Sequence, residues 1–159
     1  MKPFGFSSFE YGGIKLGEND HDRLPDIRKT VLFHAPIQKV WEAVSTSEGI
    51  VAWFMPNDFK PEVGHKFTLQ SPFGPSPCKV LELDPPYRLS FSWDSGWYVS
   101  FELKERDGKT EFTLTHSGWG KPDEIIPGPS ETHSVIRNRM DYGWESIVNE
   151  KLRQVVEDE

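Results

Sequence analysis

Bulky aromatic rings recur at positions that could hold an apolar molecule. Two runs of residues alternate between apolar and polar, and Trp93 and Trp97 stand at their apolar positions, on one face of a strand. Trp144 lies on an apolar stripe of helical spacing. Trp53 and Phe54 close a short helical stretch earlier in the chain. Each indole offers a large apolar contact area and one N–H donor, which suits an apolar ligand with a polar atom. The alternative is that these rings only fill the core.

Two histidines share the parity of the apolar residues beside them. His65 alternates with Phe67, and His116 alternates with Leu114, so both imidazoles are predicted to point inward. A buried imidazole needs a partner, which is either a neighbouring backbone carbonyl or the polar group of a ligand. For both, we favour a histidine that is satisfied within the core over one that contacts a ligand.

No arrangement typical of a catalytic or metal centre stands out. His116 and Ser117 are adjacent in a strand, so their side chains point to opposite faces and do not form a nucleophile–base pair easily. Glu102 has outward parity and Asp58 lies in a loop, so each is predicted to be solvated rather than an acid or base. The five histidines and Cys78 lack the spacing of a zinc or haem motif. We therefore predict no catalytic residues, no metal and no cofactor.

The elements that would position the rings are mostly strands. Ile27 to Phe33 is typical of a first strand. Apolar residues then alternate with polar ones in the runs 65–69, 89–93, 97–103 and 112–116. Asp94-Ser95-Gly96 and Asp107-Gly108 supply turn residues that tolerate positive φ, and Asp84-Pro85-Pro86 marks another reversal. The pattern predicts an antiparallel sheet built from hairpins.

Two short helices are predicted after the first strand. The first covers residues 36 to 44, with Pro36 in its first turn and one apolar stripe formed by Ile37, Val40, Trp41 and Val44. Ser45 and Glu48 have the spacing of a capping box, so a second helix is expected to begin there and to end near Met55.

A long helix is predicted at the C-terminus. It follows a glycine- and proline-rich break from Gly118 to Pro129, with Ser130 as its N-cap. Its apolar stripe comprises Ile136, Met140, Gly143, Trp144, Ile147 and Val155.

The composition is that of an ordinary globular chain, with 36% hydrophobic and 27% charged residues. The formal net charge of −7 and the absence of a basic run work against binding to nucleic acid or to an anionic membrane surface. No apolar stretch approaches the roughly 20 residues that cross a bilayer, and the N-terminus lacks the apolar block of a signal peptide. Cys78 is the single cysteine, which fits a reducing compartment. We expect a soluble cytoplasmic protein.

Several local strings follow one another in the order found in a known superfamily. They are Ala35-Pro36 with Val40-Trp41, Trp53-Phe54, Val80-Leu81-Glu82, the string PYRLSFSW from Pro86 to Trp93, Val99-Ser100-Phe101-Glu102-Leu103, Gly108-Lys109-Thr110 leading into Leu114-Thr115-His116-Ser117-Gly118, and Gly143-Trp144. Over residues 27 to 155 the chain resembles the START-like (SRPBCC) superfamily. The strings are most similar to the branch related to the C-terminal domain of the activator of the heat-shock protein 90 ATPase.

The resemblance implies an α+β helix-grip fold of the Bet v 1 type. In this fold a curved antiparallel sheet, two short helices and one long C-terminal helix enclose a hydrophobic cavity. Relatives hold lipids, sterols, polyketides and other apolar ligands there, so the expected partner is a small hydrophobic or aromatic ligand. Together with the inward rings, this predicts a ligand site in the cavity between the sheet and the C-terminal helix, formed by Trp53, Phe54, Phe67, Phe91, Trp93, Trp97, Phe101, His116, Met140 and Trp144.

Two other functions stay open. The branch implies a stress-related co-chaperone that contacts a chaperone, but the eukaryotic activator has a further N-terminal domain that is not found here, so activation does not transfer. Some relatives are cyclases or hydrolases, so a small enzyme on the same site is the third alternative, although we do not expect catalysis.

Residues 1–25 lie outside the resemblance. They contain several glycines and a charged run without sustained periodicity, which predicts an N-terminal extension before a START-like domain over residues 26–159. The aromatic residues of this extension alternate loosely, so an added edge strand is the alternative; they are Phe4, Phe6, Phe9 and Tyr11.

Overall fold

A computed structural model of the chain describes residues 22–72 and 74–158. Contacts between Cα atoms divide this part into two compact units, one formed by residues 22–25 with Trp119–Asn138 and the other by Asp26–Gly118 with residues 139–158. The loosely alternating aromatic residues between positions 4 and 11 lie outside the described residues. The boundary between an extension and a domain at residue 25 therefore stays a prediction.

The larger unit contains a curved sheet of six antiparallel strands. The strands are β1 Ile27–Phe33, β2 Lys66–Ser71, β3 Gly74–Asp84, β4 Arg88–Trp93, β5 Trp97–Arg106 and β6 Lys109–Ser117. Their order across the sheet is β1-β6-β5-β4-β3-β2, so the first strand pairs with the last, with Ile27 opposite His116. The predicted α+β fold with an antiparallel sheet is confirmed.

Burial alternates along the strands as the sequence pattern predicts. Thr110, Phe112, Leu114 and His116 of β6 are buried, whereas the residues between them face the other side of the sheet and are only partly buried. Asp94 and Asp107 adopt positive φ in the turns after β4 and β5, as their side chains allow. Strand β3 was missed as a run of alternation, because two prolines and a register shift between Val80 and Glu82 interrupt its pattern.

The two short helices are α1, Ile37–Val44, and α2, Ser47–Trp53. Pro36 precedes α1 in extended conformation, and the predicted apolar stripe of this helix is buried. The predicted capping box at Ser45 is wrong by one residue, because Thr46 caps α2 by accepting from the Gly49 amide over 3.0 Å. The Ser45 hydroxyl instead donates to the Trp41 carbonyl over 2.6 Å.

The C-terminal helical segment is not regular. It comprises α3 His133–Ser146, a π-helical turn Ile147–Leu152 and α4 Arg153–Glu157. Its buried residues in the larger unit are Trp144, Val148, Leu152 and Val156, spaced by four, whereas the predicted stripe contained Ile147 and Val155. Because an α-helix turns by about 100° per residue, four-residue spacing drifts by about 40° per step. The wider π turn offsets this drift and keeps these side chains on one face.

The smaller unit contains a short antiparallel pair, β7 Ile125–Ile126 with β8 Glu131–Thr132, in the segment that the sequence predicted as a break. Ser130 is not the helix cap, because it adopts a positive φ of 59° before β8 and the helix begins at His133. Nδ1 of His133 accepts from the Gly120 amide over 3.0 Å, and the His133 ring lies edge-on to the buried Trp119. No helix within the described ranges is long and apolar enough to span a bilayer.

Candidate functional site

A small apolar void lies between α2 and the sheet in the larger unit, and no described residue of the C-terminal helical segment, under which the cavity was predicted, lines it. Its volume is about 10 Å³, which is room for no more than about one water molecule. Seven apolar side chains from four elements and the end of α2 line it: Ile50, Trp53, Phe54, Phe67, Leu69, Phe91 and Phe101. The interior at this point is therefore almost completely filled.

Phe54 covers this void from the side of α2. It follows Trp53 directly as the C-cap residue of the helix and is half-buried, whereas Trp53 beside it is 1% exposed. The Phe54 ring stacks on Trp53 at 5.4 Å and lies at 5.0 Å and 30° from Trp144 of α3. It is also perpendicular to the Trp93 ring at 5.8 Å. A single phenyl ring therefore occupies a slot whose walls are three indoles.

Trp53 itself is held rigidly. Its Nε1–H donates to the Ala43 carbonyl of α1 over 2.8 Å, and its ring meets Phe101 of β5 edge-on at 5.8 Å. These contacts join α1, α2 and the sheet through one side chain. Phe54 has no polar group that could form a comparable hydrogen bond.

Beyond Phe54 the rings continue as a cluster at the β4–β5 hairpin. Trp93 and Trp97 flank the turn and meet edge-on at 5.3 Å, and both contact the imidazole of His116 on β6. Trp144 joins the cluster from α3, at 6.4 Å from Trp93 and 6.1 Å from His116. Offset and edge-on pairs of this kind stabilise each other beyond the area that they bury.

His116 is completely buried, and a side chain fixes its tautomer. The Trp144 Nε1–H donates to Nδ1 of His116 over 2.9 Å. Because Nδ1 accepts, the imidazole is neutral in this arrangement and carries its proton on Nε2. At Nδ1 the partner of His116 within the core is therefore an indole rather than a backbone carbonyl.

Trp93 differs from Trp53 and Trp144, the other two indoles that contact Phe54. Its side chain is only 3% exposed, yet its Nε1–H has no acceptor among the described residues. Trp53 and Trp144 both donate to a protein acceptor. A buried donor without an acceptor is uncommon in proteins, because desolvating it costs free energy that no hydrogen bond returns.

The structure brings most of the predicted ligand-binding residues together in two adjoining groups. Those that line the void are Trp53, Phe54, Phe67, Phe91 and Phe101, and those of the ring cluster are Trp93, Trp97, His116 and Trp144. Met140 is half-buried on α3 and does not line the void. Ile50 and Leu69 were missed, although Leu69 has the parity of Phe67, and Ile50 lies one helical turn before Trp53.

The polar residues weighed as catalytic groups lie elsewhere. His65 precedes β2, is half-buried, and its Nε2 lies 3.1 Å from the Asp58 carbonyl, which is the backbone partner expected for it. Asp58 is exposed, and its carboxylate accepts from the Thr68 amide over 2.6 Å. Ser117 follows His116 in β6, and its hydroxyl contacts the Tyr98 carbonyl.

A shallow polar groove of about 370 Å³ lies on the opposite face of the sheet. At its centre Arg88 donates to Glu82 over 3.0 Å and also to Glu102, so Glu102 points outward as predicted. The Ser90 hydroxyl and the Arg88 guanidinium hold the pKa of Glu82 below its ordinary value by hydrogen bonding to its carboxylate. Arg28 also lines the groove, so two guanidinium groups balance the two carboxylates, and this charged surface is unlike the uncharged interior.

The comparisons with known proteins agree with this geometry. Residues 34–157 match the family model of the Activator of Hsp90 ATPase homolog 1-like protein. The solution structure of protein BH1534 from Bacillus halodurans has 57% identity and a TM-score of 0.81, and the match covers 86% of this chain and 99% of that one. Protein MLL2253 from Mesorhizobium loti has 26% identity over 82% of this chain and 96% of its own, with a TM-score of 0.70.

More distant structures share the fold. The Aha1 dimer from Colwellia psychrerythraea has 19% identity and a TM-score of 0.69, over 85% of this chain and 98% of that one. No curated protein matches the chain. Since the family model covers most of the sequence, including α1, the sheet and the C-terminal helical segment, this chain belongs to the family of Activator of Hsp90 ATPase homolog 1-like proteins within the START-like fold.

Proposed function

We propose that this protein binds a small hydrophobic or aromatic molecule between α2 and the sheet. The observation that carries the proposal is the position of Phe54, a half-buried phenyl ring that covers an uncharged interior, stacks on Trp53 and contacts Trp144 at a tilt of 30°. The family's fold is consistent with binding in an interior cavity.

The small volume of the void sets a condition on this function. At about 10 Å³ it accepts no organic ligand, so binding requires the Phe54 ring to leave its slot. A ligand that replaces the ring regains the stacking contacts and buries its own apolar surface, at about 25 cal/mol per Å² removed from water. The form with Phe54 in the slot is then the unliganded protein, in which this side chain fills the space that a ligand would take.

A fluorescence titration tests the proposal. The indoles of Trp53, Trp93 and Trp144 contact the Phe54 ring, so a ligand in its place is expected to quench their emission saturably. A panel of lipids, sterols and polycyclic aromatic compounds covers the apolar ligand classes. No saturable change with any class, for the wild type or for the variant below, would refute the function.

Phe54→Ala is the informative variant, because it removes the ring that closes the slot. We expect this variant to bind the same ligands at least several-fold more tightly, since no side chain has to be displaced. Val51→Ala is the matched control, because Val51 belongs to the same helix, is exposed and does not line the void. Its affinity is expected to equal that of the wild type.

A second candidate function is binding to a chaperone, in a stress-related role. It is favoured by the filled interior, since a domain that acts through its surface needs no internal space. The test is to measure the ATPase rate of a purified chaperone of the heat-shock protein 90 class with and without this protein. A rate that does not change at saturating protein, together with no detectable complex, counts against this candidate.

Localisation and domain organisation complete the proposal. We place the protein in the cytoplasm, which is supported by the single cysteine, Cys78, whose buried thiol fits a reducing compartment. Residues 1–25 are assigned to an extension of the ligand-binding domain. Fractionation and a comparison of ligand affinity between the full chain and residues 26–159 test these two assignments.

A further inference from the structure

We propose that Trp93 is the polar recognition point of the ligand site, and that the ligand is a flat aromatic compound with a neutral hydrogen-bond acceptor such as a ketone carbonyl. This inference rests on the proposed function and specifies its ligand. It begins from the buried Nε1–H of Trp93, which has no acceptor in the described part of the chain.

The shape of the ligand follows from the ring that now occupies the slot. Phe54 lies within 30° of parallel to both Trp53 and Trp144, at 5.4 and 5.0 Å between ring centres. A planar ring in place of Phe54 stacks on the same two indoles, and a bulky saturated skeleton does not fit between them. The slot therefore selects flat aromatic molecules.

The position of the acceptor follows from the third wall. The Trp93 ring meets Phe54 at 89° and 5.8 Å, so it borders the space that opens when Phe54 moves. An acceptor on the edge of a ligand ring in that space lies next to an indole that lacks a partner. A hydrogen bond to this N–H removes the free-energy cost of a buried unsatisfied donor, so ligands that carry an acceptor are expected to bind more tightly.

The charge of the acceptor follows from the surroundings of Trp93. The Trp93 ring packs against Phe54, Trp97, His116 and Trp144. Among the described residues the cation–π contact is that of Arg153 over Phe33, so no lysine or arginine lies over the Trp93 ring. His116 is neutral as long as its Nδ1 accepts from Trp144. A carboxylate buried here has no cation to offset the cost of its desolvation, whereas a ketone carbonyl loses much less hydration free energy on burial.

A matched set of probes tests this inference, namely fluorene, 9-fluorenone and fluorene-9-carboxylate. The first two are flat tricycles of similar size that differ by the carbonyl, and the third carries an anion. We expect 9-fluorenone to bind the wild type about five- to tenfold more tightly than fluorene, which is the factor of one hydrogen bond. The carboxylate is expected to bind most weakly.

Trp93→Phe is the variant that isolates the donor, because it keeps an aromatic ring and removes the N–H. In this variant the preference for 9-fluorenone over fluorene is expected to fall to within twofold. Trp41→Phe is the control, because Trp41 is a buried indole of α1 that neither lines the void nor appears in the ring cluster. It is expected to retain the wild-type preference.

Indole N–H resonances of the wild type give a readout that requires no variant. 9-Fluorenone is expected to shift the Trp93 Nε1–H signal downfield, as hydrogen bonding does, whereas fluorene is expected to leave it near its free position. Equal affinities for the two probes, or a preference that survives in Trp93→Phe, overturn the inference and leave the proposed function standing. Tightest binding of the carboxylate overturns it as well, and failure of every probe with both wild type and Phe54→Ala counts against the function itself.

Discussion

The indole of Trp144 donates to Nδ1 of His116 over 2.9 Å, and the imidazole has no exposed surface. The two residues come from α3 and β6, so this hydrogen bond ties the C-terminal helical segment to the sheet beside the ring cluster. It also fixes which nitrogen of His116 carries the proton.

The first prediction concerns this bond. Trp144→Phe is expected to lower the free energy of unfolding by about 1–3 kcal/mol more than Trp93→Phe, because it leaves a buried imidazole nitrogen without its donor. Both substitutions remove the same atoms from a buried indole, and Nε1 of Trp93 has no acceptor to lose among the described residues. Urea denaturation measures the difference. Equal losses of unfolding free energy in the two variants would show that ring contacts, and not the hydrogen bond, account for the stabilisation by Trp144.

The second prediction concerns the ion pair between β1 and α3. The Lys29 ammonium lies 2.7 Å from Asp141 and 3.1 Å from Glu145. Burial lowers the pKa of Lys29, but the hydrogen bonds and charges of the two carboxylates outweigh this, so the pKa is raised above 10.5. Lys29→Met is expected to cost about 1 kcal/mol of stability at neutral pH.

The pH dependence of this loss follows from the direction of the shift. A raised pKa in the folded state means that the stabilisation is complete below the unfolded pKa and is lost as pH rises through the folded pKa. The difference between Lys29→Met and wild type is therefore expected to shrink above pH 10.5. The exposed Lys66 is the control, and Lys66→Met is expected to change the free energy of unfolding little, both at neutral pH and above pH 10.5. A loss for Lys29→Met that is constant up to pH 12 would contradict the assignment.

The third prediction concerns Cys78. Burial, and secondarily the nearby charge of Asp94, raise the pKa of its thiol to about 12. The thiol is therefore protonated at neutral pH, and we expect native protein to react with iodoacetamide far more slowly than protein in urea. Because the folded pKa exceeds the unfolded one, stability is expected to decline between pH 9 and 12, and Cys78→Ala is expected to flatten this decline. Rapid alkylation of the native protein would contradict this prediction.

The fourth prediction concerns the close approach of Gly118 to the β4–β5 turn. Gly118 has a φ of +100°, and a Cβ there would lie 2.0 Å from the Gly96 carbonyl oxygen. Gly108 also has positive φ, but a Cβ there meets nothing within 4 Å. Gly118→Ala is therefore expected to cost about 1–3 kcal/mol more than Gly108→Ala, since only the former overpacks the backbone. Similar melting temperatures for the two variants would contradict this interpretation.

Much of the fold could be predicted from local patterns. Alternation of apolar residues placed β4, β5 and β6 correctly, because one face of each strand is buried. The same pattern could not show β3, where prolines and a bulge interrupt the alternation without preventing pairing to β2 and β4. The buried stripe after Trp144 was also missed, because a π turn changes the helical period and this change has no sequence signature.

The sequence by itself determined which side chains face the interior, because parity in a strand and spacing in a helix follow from backbone geometry alone. That was enough to bring Trp53, Trp93, His116 and Trp144 to the same side of the sheet. Only the tertiary structure decided how they pair, that Trp144 and not a carbonyl serves His116, and that Phe54 closes the slot. The reason is that hydrogen-bond partners and residual space depend on simultaneous packing of side chains from elements distant in the chain, whereas the sequence pattern reports each element separately.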